Sequence, residues 1–138
     1  MLQRIQSIWL LLVAAFAAIT FRFPFANGDW LKDILPTSVP LDAKTTIWLS
    51  IVTVLVGVIA FITIFLYHDR KLQLRLSYLG IFLTILLLVM YFFELSNFAN
   101  SVMALWCIFH FAILGCYILA VRGILKDEKL IKSMDRLR

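Results

Sequence analysis

Residues 46–67 run for 22 positions without a single charged side chain. As a helix, at about 1.5 Å per residue, that stretch covers roughly 33 Å, enough to cross the hydrocarbon of a bilayer. Three more apolar runs accompany it, over about 5–23, 76–95 and 102–121. The chain is 63% hydrophobic and 15% charged, whereas a soluble domain is about half apolar and a quarter charged. These features point to an all-α integral membrane protein, a four-transmembrane-helix up-down bundle forming one membrane domain over residues 1–138. Little chain remains for a separate soluble domain.

The first run has a second reading. Residues 1–7 followed by 8–19 have the layout of a signal peptide, with Ala15-Phe16-Ala17 as its cleavage motif. The apolar run continues to Phe25, interrupted only by Arg22, which favours an uncleaved first span. Small residues at Ala14, Ala15, Ala17 and Ala18 give that span a thin flank, where another helix can approach closely in lipid. In the second span Ser50, Thr53, Gly57 and Ala60 recur at spacings of three, four and three, a small-residue stripe expected to face span one or span four.

The connections carry the polar information. Residues 24–45 form a long loop with Pro24, Pro36 and Pro40, and Asn27-Gly28 reads as a turn. Within it Asp29 is placed to cap a short interfacial helix bearing Trp30, Leu31, Ile34 and Leu35. Residues 68–75 are a basic turn near the midpoint, containing Arg70, Lys71 and Arg75. Residues 96–101 read as a short polar linker that makes spans three and four antiparallel neighbours. The tail, 122–138, reads as an amphipathic helix, with Ile124, Leu130, Ile131, Met134 and Leu137 on one face.

Charge placement sets the expected orientation. Arg4, the central turn and the tail together hold ten of the 13 Lys and Arg residues. By the positive-inside rule, both termini and the central turn are cytoplasmic, and 24–45 and 96–101 are external. The aromatics suggest two headgroup belts. Trp9, Tyr67, Tyr78 and Tyr117 would form the cytoplasmic one, and Trp30, Trp48, Tyr91 and Trp106 the outer one.

Few residues invite chemistry. Glu94, the one acid inside an expected span, lies next to the span's end, where it can bond near Asn97, Asn100 or Ser101. His110 lies about eight residues into span four, deep enough to be a proton carrier or a haem ligand, a subunit contact or, as is expected first, a buried histidine hydrogen-bonded to a neighbouring helix. His68 sits at the cytoplasmic edge, too far away to pair with it. Cys107 is the only other metal-ligand type close by, so no metal site is expected. Nor does the Cys107–His110 pair have oxyanion donors or an orienting carboxylate for nucleophilic catalysis. Cys107 and Cys116 are nine positions apart in sequence, roughly 13 Å along a helix, too far for a disulfide. Neither a catalytic residue nor a cofactor is expected.

Docking residues are more plausible. Arg70, Lys71, Arg75, Lys126, Lys129, Lys132, Arg136 and Arg138 would meet anionic lipid or a partner, helped by Leu130, Ile131, Met134 and Leu137. Nucleic acid is not an expected partner, because acidic residues are interleaved in the tail and aromatics are absent from it.

Both chain ends carry a resemblance. The opening Met1-Leu2-Gln3-Arg4-Ile5-Gln6-Ser7-Ile8-Trp9-Leu10-Leu11-Leu12, the central Asp69-Arg70-Lys71-Leu72-Gln73 and the closing stretch from Arg122 to Arg138 resemble a Bacteroidota family of small four-span inner-membrane proteins, known only as a domain of unknown function. The resemblance implies a bacterial inner membrane and no activity. The expected function is an accessory or assembly subunit of a larger membrane complex, with the bilayer and a membrane-protein partner or a second copy as contacts. One alternative is a small transporter or channel component lined by Glu94, His110, Thr53 and Gly57. The other is a haem-binding redox subunit with His110 as ligand.

Overall fold

Helix α2 (Ile47–Phe65) is rich in Ile, Val and Thr, residues that in water favour strands. In lipid the backbone has no water to bond, and a helix is the one form that closes its own hydrogen bonds within a single segment. The same constraint governs α1 (Gln3–Ile19), α3 (Arg70–Leu95) and α4 (Ile108–Asp135), the last entered through a 3-10 turn at Leu105–Cys107. These elements come from a computed structural model that describes residues 3–30, 38–66 and 69–135. The helices close a ring in chain order, with α4 returning to pack along α1.

An all-helical chain was expected, and a small sheet corrects that expectation. Strands β1 (Ala26–Trp30), β2 (Ser38–Leu41) and β3 (Phe98–Met103) form an antiparallel sheet in the order β2-β1-β3. Asn27-Gly28 is therefore mid-strand rather than a turn, and Asp29 pairs with Ser38 and Ala99 instead of capping a helix. The β1–β3 register slips between Asn27 and Asp29, a bulge of the kind glycine permits. A Cβ on Gly28 would stand 3.1 Å from the Cβ of Phe98 and 3.2 Å from the Cα of Ser101, so only glycine admits β3 this closely. Pro40 lies on β2, an edge strand, where its missing N–H leaves no ladder bond unmade. The remainder of the expected interfacial helix, at 31–37, falls outside the described residues.

The helix boundaries also depart from the expected spans. α1 stops at Ile19 rather than 23, because Pro24 disfavours a helical Phe23 and the chain turns into β1. The Thr20 hydroxyl donates to the Ala17 carbonyl at 2.8 Å, and the Arg22 N–H donates to the Ile19 carbonyl at 2.9 Å, closing the helix end. α3 begins at Arg70, so the basic residues of the expected turn form its first turns. The expected linker at 96–101 lies largely in β3, and span four begins at 108 rather than 102. The tail is not a separate helix, since α4 continues unbroken to Asp135. At about 1.5 Å per residue, its 28 residues reach past the roughly 30 Å hydrocarbon core of a bilayer.

Two buried clusters fill the bundle. One contains Leu10, Val13, Ala17, Val56, Ala60, Ile113, Cys116, Tyr117 and Ala120, and it binds α1, α2 and α4 together. The other contains Phe25, Leu41, Leu49, Leu87, Leu88, Tyr91 and Phe98, and it welds the sheet to the helices. The first cluster also holds a polar crossing. There the Tyr117 hydroxyl crosses from α4 to donate to the Val56 carbonyl on α2 at 2.8 Å. The ring lies directly over Gly80, where an added Cβ would fall 2.4 Å from it. Tyr117 and Tyr91 are thus core residues, a correction to their expected places in the headgroup belts. For Tyr117 the reason is its buried acceptor, the Val56 carbonyl. Tyr78, Trp48 and Trp106 are exposed on the surface.

Candidate functional site

Phe25 lies where the sheet meets the bundle. The Phe25 N–H donates to the Leu41 carbonyl at 2.7 Å, and its own carbonyl accepts from the Ala104 N–H at 3.0 Å. With its backbone bonded on both sides, Phe25 points its ring into the bundle. It stacks on Tyr91 (centroids 4.7 Å apart, 25° between planes) and meets His110 edge to face at 5.1 Å. Tyr91 and His110 meet each other at 4.5 Å and 77°. Each such aromatic pair contributes about 0.5–1.5 kcal/mol beyond burial, so the three rings form a rigid knot between α3, α4 and the sheet.

His110 is 1% exposed, and neither ring nitrogen has a hydrogen-bond partner, which corrects the expected bond to a neighbouring helix: its neighbours are aromatic faces and edges. The Tyr91 hydroxyl is also buried without a hydrogen bond of good geometry. Its polar neighbours are the Thr53 hydroxyl and, at longer range, the Asp42 carboxylate. Thr53 donates its own proton to the Leu49 carbonyl at 2.7 Å. Asp42 accepts from the Lys44 N–H at 2.9 Å and the Thr45 hydroxyl at 3.2 Å. Two sides of the imidazole are occupied by aromatic rings, which leaves poor room for a porphyrin plane. Among the described residues no three His, Cys, Asp or Glu side chains converge as a metal site would require.

The other residues singled out from the sequence do not join this knot as a group. Glu94 ends α3 and accepts from the Thr46 hydroxyl at 3.0 Å and the Asn97 amide at 3.2 Å, tying α3 to the start of α2. Gly57 faces α1, where its Cβ position lies 3.3 Å from Ala17. Thr53 and Ala60 are buried, while Ser50 donates to the Ala43 carbonyl at 2.6 Å. Of the proposed route, only Thr53 lies beside Tyr91 and hence near His110. Cys107 and Cys116 are both free thiols.

The opposite end of the bundle holds polar groups that the sequence left unmarked. Gln6 and Asp127 are buried, and the Gln6 amide donates to the Asp127 carboxylate, joining α1 to α4. Gly123 lets Gln6 lie close, with its Cβ position 3.4 Å from Gln6 Cγ. The Gln73 amide reaches the Thr63 carbonyl at 3.4 Å. The packed face of the tail is therefore Ile124 with Asp127, whereas Leu130 and Ile131 are exposed. Arg70 is half-buried, and Lys71, Arg75, Lys126 and Lys129 are exposed. The side chains of Lys132 and Met134, and residues Arg136, Leu137 and Arg138, lie outside the described set. A helical period does mark Tyr117, Ala120, Ile124 and Asp127 as one face, but an acid in a charged tail reads as solvated.

Three helices, Ile47–Phe65, Arg70–Leu95 and Leu105–Ile131, are long and apolar enough to cross a membrane, with a shorter apolar helix at Ile5–Ile19. Such helices, capped by a small sheet, suggest a membrane protein. The family model for a domain of unknown function, DUF4293, matches residues 2–137, and the chain belongs to that family. No curated protein and no solved structure matches it.

Proposed function

We propose that the chain is a four-span protein of a bacterial inner membrane that serves as an accessory or assembly subunit of a larger complex. In this reading α1, with its end turns, is the fourth span. Both termini are cytoplasmic and the sheet is external. The resemblance of the chain ends supports the bacterial membrane, and the basic residues gathered near the starts of α1 and α3 and the end of α4 support the orientation.

One observation carries the subunit reading. The middle of the bundle is closed by Tyr117 lying over Gly80 and bonded to Val56. Four more buried hydroxyls, of Thr53, Thr63, Ser77 and Thr84, return to carbonyls four residues back on their own helices. A centre so filled offers little lining for a path through one copy, and the surfaces left for work face outward. Extraction in a mild detergent, followed by mass spectrometry of what co-purifies, tests this. A stoichiometric membrane partner is expected, and a stable monodisperse monomer would count against the reading. Cysteines placed at Lys71 and Ser101 should label from opposite sides of sealed vesicles.

A transport component is the second reading, favoured by the unpartnered His110 and Tyr91. Solute flux unchanged by Glu94→Gln and His110→Ala together would remove it.

A further inference from the structure

We infer that His110 and Tyr91 bind one buried water molecule between them, at the junction of the helices and the sheet. On two rings whose centroids lie 4.5 Å apart, Nδ1 and Nε2 of His110 and the Tyr91 hydroxyl are buried without a hydrogen bond of good geometry. Buried polar groups in native proteins are almost always hydrogen-bonded, to protein or to ordered water. Among the described residues eight other buried side chains are polar or charged, and their donors go to a carbonyl or a carboxylate. The His110–Tyr91 pair stands apart from that pattern.

The chemistry of the pair selects the ligand. A neutral imidazole presents one donor and one acceptor, and a phenol presents both. Water, with two protons and two lone pairs, answers either sense and needs only two to four polar neighbours. Thr53 can supply one more acceptor, since its own proton is committed to Leu49. A metal ion would require a converging ligand set, which the described residues do not provide. A direct bond between the two side chains is opposed by Phe25, which packs on both rings and holds them edge to face. The inference does not depend on the subunit reading.

Proton-detected solid-state NMR of ring-15N histidine protein in bilayers tests it. The chain has two histidines, so the signal lost in His110→Phe assigns the ring. The expected result is a neutral ring with a hydrogen-bonded nitrogen and magnetisation transfer from water to its ring proton. Tyr91→Phe should shift that 15N resonance and weaken the transfer. Absence of water transfer to a folded wild-type ring would overturn the inference. A ring proton coupled directly to Tyr91 oxygen would overturn it equally. Both of these readouts use the wild-type chain, so they stand even if Tyr91→Phe fails to fold.

Discussion

The two ends of the bundle bury polar groups in opposite ways. At the tail end an amide meets a carboxylate, Gln6 with Asp127, and Gln73 reaches the Thr63 carbonyl. At the sheet end an imidazole and a phenol lie among aromatic rings with their polar atoms unmatched. Burial by itself therefore says little about role. The matched groups fix which helices meet and in what register. The unmatched pair is where the chain still has bonding capacity, and in a low-dielectric interior such capacity is costly to leave unused.

The comparison can be broken first at its boundary. Tyr117→Ala empties the centre that separates the two ends and should lower stability by about 3–5 kcal/mol, read as a shift in denaturant unfolding in detergent. A near-neutral result would mean that the ends are not separated by this ring. Next, Gln6→Leu leaves a buried carboxylate without its donor. A loss of roughly 1.5–3 kcal/mol is expected, and adding Asp127→Leu should restore most of it. Additive losses in that cycle would show that the pair is not coupled. Gly80→Ala pushes a methyl into the Tyr117 ring and should cost about 1–3 kcal/mol. It should be largely rescued when combined with Tyr117→Leu. The smallest effect belongs to the rim of the sheet end. Thr46→Val removes one donor from half-exposed Glu94, for a loss of about 0.5–1.5 kcal/mol in the same assay.

The helices were legible because apolar run length is a local property, and lipid allows a run of that length little else. The sheet was not. β1 reads Ala-Asn-Gly-Asp-Trp and β3 reads Phe-Ala-Asn-Ser-Val-Met, compositions that by themselves favour turns and linkers. What makes them strands is their mutual pairing, Ala26 with Met103 and Trp30 with Phe98, and no window along the sequence contains both partners. His110 was visible as a deep histidine, but its ring neighbours were not, since Phe25 had been assigned to a loop and Tyr91 to an interface. Asp127 was missed for a related reason. Its helical face is apolar on either side, yet its charge and its neighbours Lys126 and Glu128 suggested water.

The central strand has a consequence for biogenesis. β1 and β2 emerge from the ribosome together, but β3 follows only after two further membrane helices. Until β3 follows α3, β1 has one open edge, a surface prone to pairing with the wrong strand. Closing the sheet therefore falls after α3 and before α4 in the order of synthesis. A chain that stalls before that point displays its unfinished edge to whatever quality-control machinery patrols that side of the membrane.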